Sequence, residues 1–440
     1  MHEDRTEGLA PDEPDDQEPR VPEPAKAPET PPPYLHWLRT ISIFLTGQTL
    51  SLFGSALVGY SVIWYITLKT GSGWQYAILF IASNLCTALT TVPGGVWADR
   101  YSRKKLMIGA DAFVAFFTVI LAIVMLLGYE RLWLVVVVLC LRGLAGGIQS
   151  PAVNASIPQL VPTNKLLRVN SLNASIQSLT FVAAPALAAV MLVYLPLGVI
   201  LLSDVLTALI GIGCVLAIKI PRIAAPTAAP EGVLGYFTHM AEAARYGWRI
   251  APLRRLTMLM IFFWAVVFPP CQMTPVLVVR LFGPEQWKLA ATEILWSVGM
   301  VLGGVLLAAW GGMRNRMTLV MIVCALWGVF TVAMGLAPNL WVFLVIMVMY
   351  GLSVPGFNTA ATTSVQELIP DHLMGRMMGF ITLISTLATP LGMAIVGPLA
   401  DVFDIRILTV VCGALGLVFV GILALDRGPA SKMYAPTAAT

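Results

Sequence analysis

The sequence predicts an all-α membrane protein with twelve transmembrane helices in two six-helix bundles. Composition is the first reason: 58% of the residues are hydrophobic and 11% are charged, whereas soluble domains contain about 45–50% apolar and about 25% charged residues. Apolar stretches of about 20 residues, long enough to cross the hydrocarbon of a bilayer, recur along the chain. An internal repeat divides these stretches into two equal sets.

Each predicted span is a mainly apolar stretch bounded by a polar or Gly- or Pro-containing connection. The spans of the first set are 40–67, 74–97, 106–128, 132–156, 169–193 and 197–219. The spans of the second set are 255–279, 289–311, 318–337, 340–365, 377–400 and 406–425.

The repeat relates the stretch 142–168 to the stretch 350–376 without gaps, at an offset of 208 residues. The identities pair Gly143 with Gly351, Leu144 with Leu352, Ser156 with Ser364, Leu160 with Leu368, Pro162 with Pro370 and Arg168 with Arg376. Both stretches cover the fourth span of a set and the loop after it. Because each set has six spans, equivalent helices run in the same direction. We therefore expect two bundles related by a pseudo-twofold axis along the membrane normal.

Lys and Arg are unevenly distributed between the two sides of the predicted membrane. The connections on the same side of the membrane as the N-terminus contain fifteen Lys and Arg residues. The connections on the other side contain five, namely Lys69, Arg131, Arg280, Lys288 and Arg406. Positively charged loops stay in the cytoplasm. This distribution predicts a multi-pass protein of the cell membrane (plasma or inner) with both termini cytoplasmic.

We divide the chain into five predicted segments. We expect 1–33, which holds nine prolines and ten carboxylates, to be a disordered cytoplasmic tail, since it has too little apolar surface to fold. The N-terminal bundle covers 34–220, a cytoplasmic linker 221–254, the C-terminal bundle 255–426 and a second cytoplasmic tail 427–440. Within the linker, Leu234, Phe237, Met240 and Trp248 have helical spacing and predict an amphipathic helix on the membrane surface.

Several functions are excluded or disfavoured by what the sequence contains. The six cysteines all lie within predicted spans and the four histidines all lie outside them, so we predict no metal site and no catalytic set. No GxxxxGK[ST] motif occurs, which argues against a primary pump with its own nucleotide site. We expect no cofactor, no enzymatic activity and no nucleic-acid partner.

The most specific local pattern lies between the second and third spans. Gly95 precedes Asp99-Arg100, and the basic residues Arg103 and Lys104 follow. Asp99 ends one helix and can approach the N-terminus of the next, where the helix dipole favours an anion. Gly94 and Gly95 are small enough to permit close approach of helices. This pattern of a Gly, an Asp-Arg pair and further basic residues is more specific than the excess of positive charge that any cytoplasmic loop shows.

That loop resembles the signature loop of the major facilitator superfamily, Gly-x-x-x-Asp-Arg-x-Gly-Arg-Lys, with Ser102 in place of the second Gly. Arg142 and Gly146 resemble the family's intramembrane Arg-x-x-x-Gly element. Further passages are similar to the macrolide-efflux and siderophore-exporter branch of its drug:proton antiporters. These are Gln48 to Gly54, Trp64-Tyr65, Lys69 to Ser72, Gly109 to Asp111, Asp204 and Glu293 to Met300. The resemblance implies the twelve-helix fold, a gating role for 95–104 and proton-coupled efflux.

Four charged residues within spans are the candidates for proton coupling, because a charge at the bilayer centre costs at least about 2.5–3.5 kcal/mol. Arg142 lies nearest the midplane. Glu293 and Asp204 are the candidate proton carriers, each as a carboxylate that approaches Arg142 in one state and leaves it in another, and Glu293 is preferred because its helix can line the cavity. Asp111 is third, because its depth suits a fixed partner of the basic loop. Structural pairing is the alternative for each of the four.

Gln48, Trp64 and Ser297 are the candidates for the substrate cavity. The predicted function is export of a small amphipathic or lipophilic compound, of drug, macrolide or siderophore type, in exchange for protons and by alternating access. We expect a monomer surrounded by membrane lipid, driven by the proton gradient. An importer of a small metabolite on the same fold is the alternative, and a non-transporting scaffold or sensor also stays open.

Overall fold

A computed structural model describes residues 37–220, 233–313 and 315–425. Within these ranges the chain forms fifteen α-helices, one 3₁₀ turn and one π-helical segment, and no strand. The helices are α1 Trp37–Thr70, α2 Gly73–Arg100, α3 Arg103–Leu126, α4 Leu132–Leu160, α5 Leu166–Tyr194, α6 Leu197–Ala217, α7 Val233–Arg249, α8 Ala251–Phe262, α9 Phe268–Gln272, α10 Thr274–Phe282, α11 Gln286–Trp310, α12 Arg316–Leu336, α13 Leu340–Leu368, α14 Asp371–Val402 and α15 Ile405–Leu425.

Twelve helical spans in the described residues are long and apolar enough to cross a membrane. This confirms the predicted fold class. The seventh span, Ala251–Phe282, is not the continuous helix that the sequence predicted over 255–279. It consists of α8, a π-helical segment Phe263–Val267, α9 and α10. Pro269, Pro270 and Pro275 lie in this stretch, and each removes a backbone N–H from the helical ladder.

The internal repeat is visible in the helix boundaries. Helix α4 covers 132–160 and α13 covers 340–368, so both boundaries differ by the offset of 208 found in the sequence. A Cβ added at Gly143 of α4 would meet the Ser83 carbonyl of α2, and one added at Gly351 of α13 would meet the Trp296 carbonyl of α11. The repeated glycines therefore bring equivalent helix pairs into backbone contact, as small residues do in membranes.

Because consecutive spans run in opposite directions, the turns between them lie at two ends of the molecule, which we name after Asp99 and Asp401. The Asp99 end holds the turn between α2 and α3, and the Asp401 end holds the turns between α1 and α2 and between α14 and α15. Helix α7 lies within the predicted linker and packs on α8 and α14, where Glu242 is 3.7 Å from Arg376. The predicted tails 1–33 and 427–440, and the side chains of Leu234 and Phe237, lie outside the described residues.

Candidate functional site

A cavity of about 310 Å³ lies among α1 to α5 of the N-terminal half. Binding sites for small molecules have comparable volumes. Its wall combines apolar side chains with many hydrogen-bonding ones, which include Gln48, Ser51, Ser55, Gln149, Asn154, Asn173 and Gln177. Because Asn154 and Asn173 lie near the ends of their helices, the lining extends from the middle of the bundle towards the Asp99 end.

Arg142 of α4 forms part of this wall and is ion-paired with Asp204 of α6. The guanidinium also donates to Thr118 Oγ1 of α3 at 2.6 Å, and the Ser55 hydroxyl of α1 donates to Asp204 Oδ1 at 3.1 Å. The two charged side chains are 9% and 1% exposed. A buried pair with further hydrogen bonds is the arrangement in which two charges are tolerated away from water.

Close packing of α1 on α6 allows this network to form. A Cβ added at Gly54 would collide with Thr207 Oγ1 and lie 3.3 Å from the Asp204 Cα. A larger residue at Gly54 would therefore push α1 away and separate Ser55 from the carboxylate. Of the two carriers predicted from the sequence, it is Asp204, and not the preferred Glu293, that contacts Arg142 in this structure.

Glu293, the other predicted carrier, is not at Arg142. It lies on α11, half-buried, within electrostatic range of Tyr60, Tyr76 and Cys271. It has no ion-pair partner among the described residues. In this structure Asp204 is therefore the acidic partner of Arg142, and a role of Glu293 in coupling stays a prediction.

Asp111 is not bound to the basic loop, contrary to the expectation from its depth. Its Oδ1 accepts hydrogen bonds from Ser51 Oγ at 2.7 Å and from Gln149 Nε2 at 2.8 Å. The residue is 3% exposed. Since Ser51 and Gln149 line the cavity, Asp111 lies directly behind its wall.

The three cavity candidates differ in position. Gln48 lines the cavity, and its Nε2 is buried without a hydrogen-bond partner within the described ranges. Trp64 is 1% exposed and packs edge-to-face on Tyr60. Ser297 is buried as well. Trp64 and Ser297 thus offer no free surface to a ligand here, and contact with substrate in another state stays a prediction for them.

The loop between α2 and α3 is tied to neighbouring helices by its cations. Arg103 Nε donates to the Ala98 carbonyl at 2.9 Å, and Lys104 Nζ donates to the Ile218 carbonyl at 2.7 Å. Asp99, with 61% of its side chain exposed, is 3.4 Å from Arg103. Of the two glycines predicted to permit close helix approach, only Gly94 does so: a Cβ added there would lie 2.6 Å from the Gly147 carbonyl, and one added at Gly95 would meet no atom within 4 Å.

The two halves are joined by hydrogen bonds at the Asp401 end. The Asp401 carboxylate of α14 accepts from Ser72 Oγ at 2.7 Å and from the backbone N–H groups of Gly73 at 2.7 Å and Trp74 at 2.9 Å. Asp401 is also ion-paired with Arg280, whose Nε donates to the Gly71 carbonyl at 2.7 Å. Asp401 therefore caps α2 from the other half of the protein.

Two further contacts close this end. Tyr76 donates its hydroxyl hydrogen to the Gln272 carbonyl at 2.5 Å, and the end of α5 packs on the start of α11. Nearby but within the N-terminal half, the Lys69 ammonium and the Tyr65 hydroxyl bind the Glu130 carboxylate and hold the pKa of Glu130 below its usual range. The structure is thus closed at the Asp401 end.

The sequence did not identify Asp401, Arg280, Thr118 or Gln149 as members of a functional site. A signal for Asp401 was present, because Gly397-Pro-Leu-Ala-Asp401 has the spacing of Gly95-Val-Trp-Ala-Asp99. Thr118 and Gln149 carry no such signal, since single polar residues are common in membrane helices.

Comparison with known proteins places the chain in a family. The model of the Major Facilitator Superfamily matches residues 44–393. Macrolide efflux protein A of Streptococcus pyogenes is 29% identical over 370 residues, which is 84% of this chain and 91% of the relative. The protein of the same name from Enterococcus faecalis is 30% identical over 301 residues, 68% of this chain and 93% of the relative. Multidrug efflux pump Tap of Mycobacterium tuberculosis (strain ATCC 25618 / H37Rv) is 25% identical over 400 residues, 87% of this chain and 92% of that pump.

Solved structures agree on the fold. The nucleoside transporter NupG has a TM-score of 0.67 at 13% identity, with 89% of this chain and all of that chain covered. A bacterial homologue of the iron transporter ferroportin, in an inward-facing state, has a TM-score of 0.64 at 19% identity, with 89% and 99% covered. At such identities the likeness concerns the fold alone.

The fold, the twelve spans and the matched family together define the class of protein. The chain is a multi-pass membrane transporter and not an enzyme, and its curated relatives include macrolide and multidrug efflux proteins. It belongs to the major facilitator superfamily.

Proposed function

We propose that this transporter exports a small amphipathic or lipophilic compound, of drug, macrolide or siderophore type, by proton antiport. The observation that carries the proposal is the buried Arg142–Asp204 pair in the cavity wall. The names of the curated relatives support the direction and the substrate type. The cavity supports a substrate with both polar and apolar surface, because its lining mixes amide and hydroxyl groups with Leu52, Val114 and Leu139.

Coupling follows from the chemistry of the pair. With Arg142 beside it, the Asp204 carboxylate is stabilised as an anion; if the two separate, the carboxyl group in apolar surroundings favours its protonated form. A substrate that displaces Arg142, or a helix movement that separates α4 from α6, would therefore change proton binding at Asp204. Glu293 remains the second candidate, because its carboxyl group, without an ion-pair partner in the described residues, lies near the junction of the two halves.

Alternating access is the proposed cycle. The closed Asp401 end and the cavity lining that extends towards the Asp99 end support a state open towards the Asp99 end. Rocking of the two halves would break the contacts of Asp401 and form new ones around Asp99. With positive loops in the cytoplasm, the Asp99 end is cytoplasmic and both termini are inside. We expect the monomer, in membrane lipid and without a cofactor, to complete this cycle.

Transport by the purified full-length protein in proteoliposomes tests the proposal. A proton gradient should drive uphill movement of a labelled macrolide, and Asp204→Asn should abolish uphill movement while substrate binding persists. Glu293→Gln, measured in parallel, decides between the two carboxyl groups. Proton-driven accumulation that persists in both variants would remove both from the coupling mechanism. Transport in the opposite direction only would favour the importer.

A further inference from the structure

A second polar group in the N-terminal half lies apart from the Arg142–Asp204 pair. Asp111 of α3 is 3% exposed, and both of its hydrogen bonds, from Ser51 and Gln149, are made to Oδ1. Its other oxygen, Oδ2, is buried and has no hydrogen-bond partner among the described residues. The two oxygens of this carboxyl group are thus in different environments.

This asymmetry fits a neutral carboxyl group better than an ionised one. In a protonated carboxyl group one oxygen is a pure acceptor, like Oδ1 here, and the other carries the proton. An ionised carboxylate with an unsatisfied oxygen in a buried site costs far more free energy, and such a group neutralises instead. The donors on Oδ1 are a hydroxyl and an amide, and neither supplies a positive charge.

In the part of the chain that the structure describes, the helices around Asp111 supply no countercharge for it. Helix α1 contributes Ser51, and α4 contributes Gln149 together with Arg142, which is ion-paired with Asp204. Helix α6 contributes Asp204 itself, whose negative charge acts on Asp111. Two ionised carboxylates beside one guanidinium would leave a net negative charge in the buried region. One proton on Asp111 makes the group of three side chains neutral.

Cations at the start of α3 do not compensate Asp111 either. Lys104 lies seven positions earlier in the chain and donates to the carbonyls of Leu216 and Ile218. Arg103 is turned towards the Ala98 and Ala155 carbonyls. At 1.5 Å per residue, seven residues along a helix correspond to about 10 Å.

We propose that Asp111 is a proton-binding site in its own right, occupied in the state of this structure and reached from the cavity through Ser51 and Gln149. Both side chains line the cavity and both touch the carboxyl group, so the proton has only one layer of side chains to cross. The site releases its proton when movement of α1 or α4 admits water to Oδ2. The role of the Asp111 site in transport rests on the proposed proton antiport. The site adds a second titratable side chain to Asp204.

Infrared spectroscopy on the purified full-length protein in lipid nanodiscs tests the site without a transport assay, because neutral and ionised carboxyl groups have separate C=O bands. At neutral pH the wild type should show a neutral-carboxyl component that Asp111→Asn lacks. Ser51→Ala should retain this component but move it to higher frequency, since one hydrogen bond to Oδ1 is lost. Glu130→Gln is the matched control, because Glu130 is ionised beside Lys69.

A full neutral-carboxyl band in Asp111→Asn would overturn the proposal, and so would an unchanged frequency in Ser51→Ala. The Ser51 variant keeps the test decisive if Asp111→Asn does not fold. Failure of the proposed function has a different signature. Loss of the band in Asp111→Asn, in a preparation whose wild type shows no proton-driven transport, would support the site and refute the antiport.

Discussion

The Asp401 contacts predict how strongly one residue stabilises the closed end. Replacement of Asp401 by Ala removes three hydrogen bonds to Ser72, Gly73 and Trp74 and the ion pair with Arg280. Loss of a helix N-cap costs about 0.5–2 kcal/mol, and an ion pair in contact with solvent contributes about 0.2–1 kcal/mol. The ion pair does not distinguish the closed state from an open one, because Arg280 and Asp401 both belong to the C-terminal half.

Only the hydrogen bonds from Ser72, Gly73 and Trp74 join different halves, so the N-cap value of about 0.5–2 kcal/mol is what acts on the closed state alone. At about 1.4 kcal/mol per factor of ten, Asp401→Ala should shift the equilibrium towards opening at this end by about 2- to 30-fold. Asp401→Asn keeps an acceptor oxygen for the N-terminus of α2 but loses the negative charge. We expect a smaller shift in the same direction for that variant.

Distances between spin labels at Tyr129 and Phe403, which are exposed on opposite halves at this end, measure the shift by electron paramagnetic resonance. The longer-distance population should grow in Asp401→Ala. Asp404→Asn is the matched control, because Asp404 accepts a hydrogen bond from the backbone of Arg406 in its own half. Equal distance distributions in Asp401→Ala and wild type would refute the reasoning that this carboxylate holds the halves together.

Three further predictions concern orientation, the loop between α2 and α3, and helix packing. Cysteines introduced beside Lys69 and Glu285 should react with an impermeant maleimide in intact cells; reaction only after permeabilisation would reverse the orientation. Asp99→Asn should lower macrolide export several-fold with little change in membrane abundance, and unchanged export would leave the loop without a gating role. Gly351→Ala should destabilise the protein by about 1–3 kcal/mol, because its Cβ meets the backbone of α11 and overpacking costs that much. In a thermal-shift assay Gly95→Ala, with open space around it, should melt close to wild type, and equal melting temperatures for both variants would contradict the packing argument.

Most of the fold was predictable because hydrophobicity and length alone determine which segments cross a membrane. The repeat was readable for a second reason: Gly143 and Gly351 are selected by the same backbone contact in each half. The break in the seventh span was not predicted. Its apolar composition resembles that of a continuous helix, and whether Pro269 and Pro270 interrupt a helix or bend it depends on how neighbouring helices pack around them.

The candidate site was predictable in part. The cost of a buried charge identified Arg142, Asp204, Glu293 and Asp111 without knowledge of their contacts. The sequence favoured Glu293 over Asp204 as the acid that approaches Arg142, because it does not show which helices pack against α4. The choice of Asp204 depends on tertiary packing, in particular on the approach of α1 to α6 at Gly54. Contacts between the halves, such as those of Asp401, change during a transport cycle and have no periodic pattern in the sequence.

Simultaneous measurement of macrolide and proton fluxes in one population of proteoliposomes tests proton antiport most directly. The protein should be inserted with its Asp99 end outside, and the lumen should be acidic. The account predicts that labelled macrolide accumulates in the lumen while protons leave it in a fixed ratio, and that Asp204→Asn abolishes both coupled fluxes. Macrolide accumulation without proton movement, or with a sodium gradient alone, would contradict it.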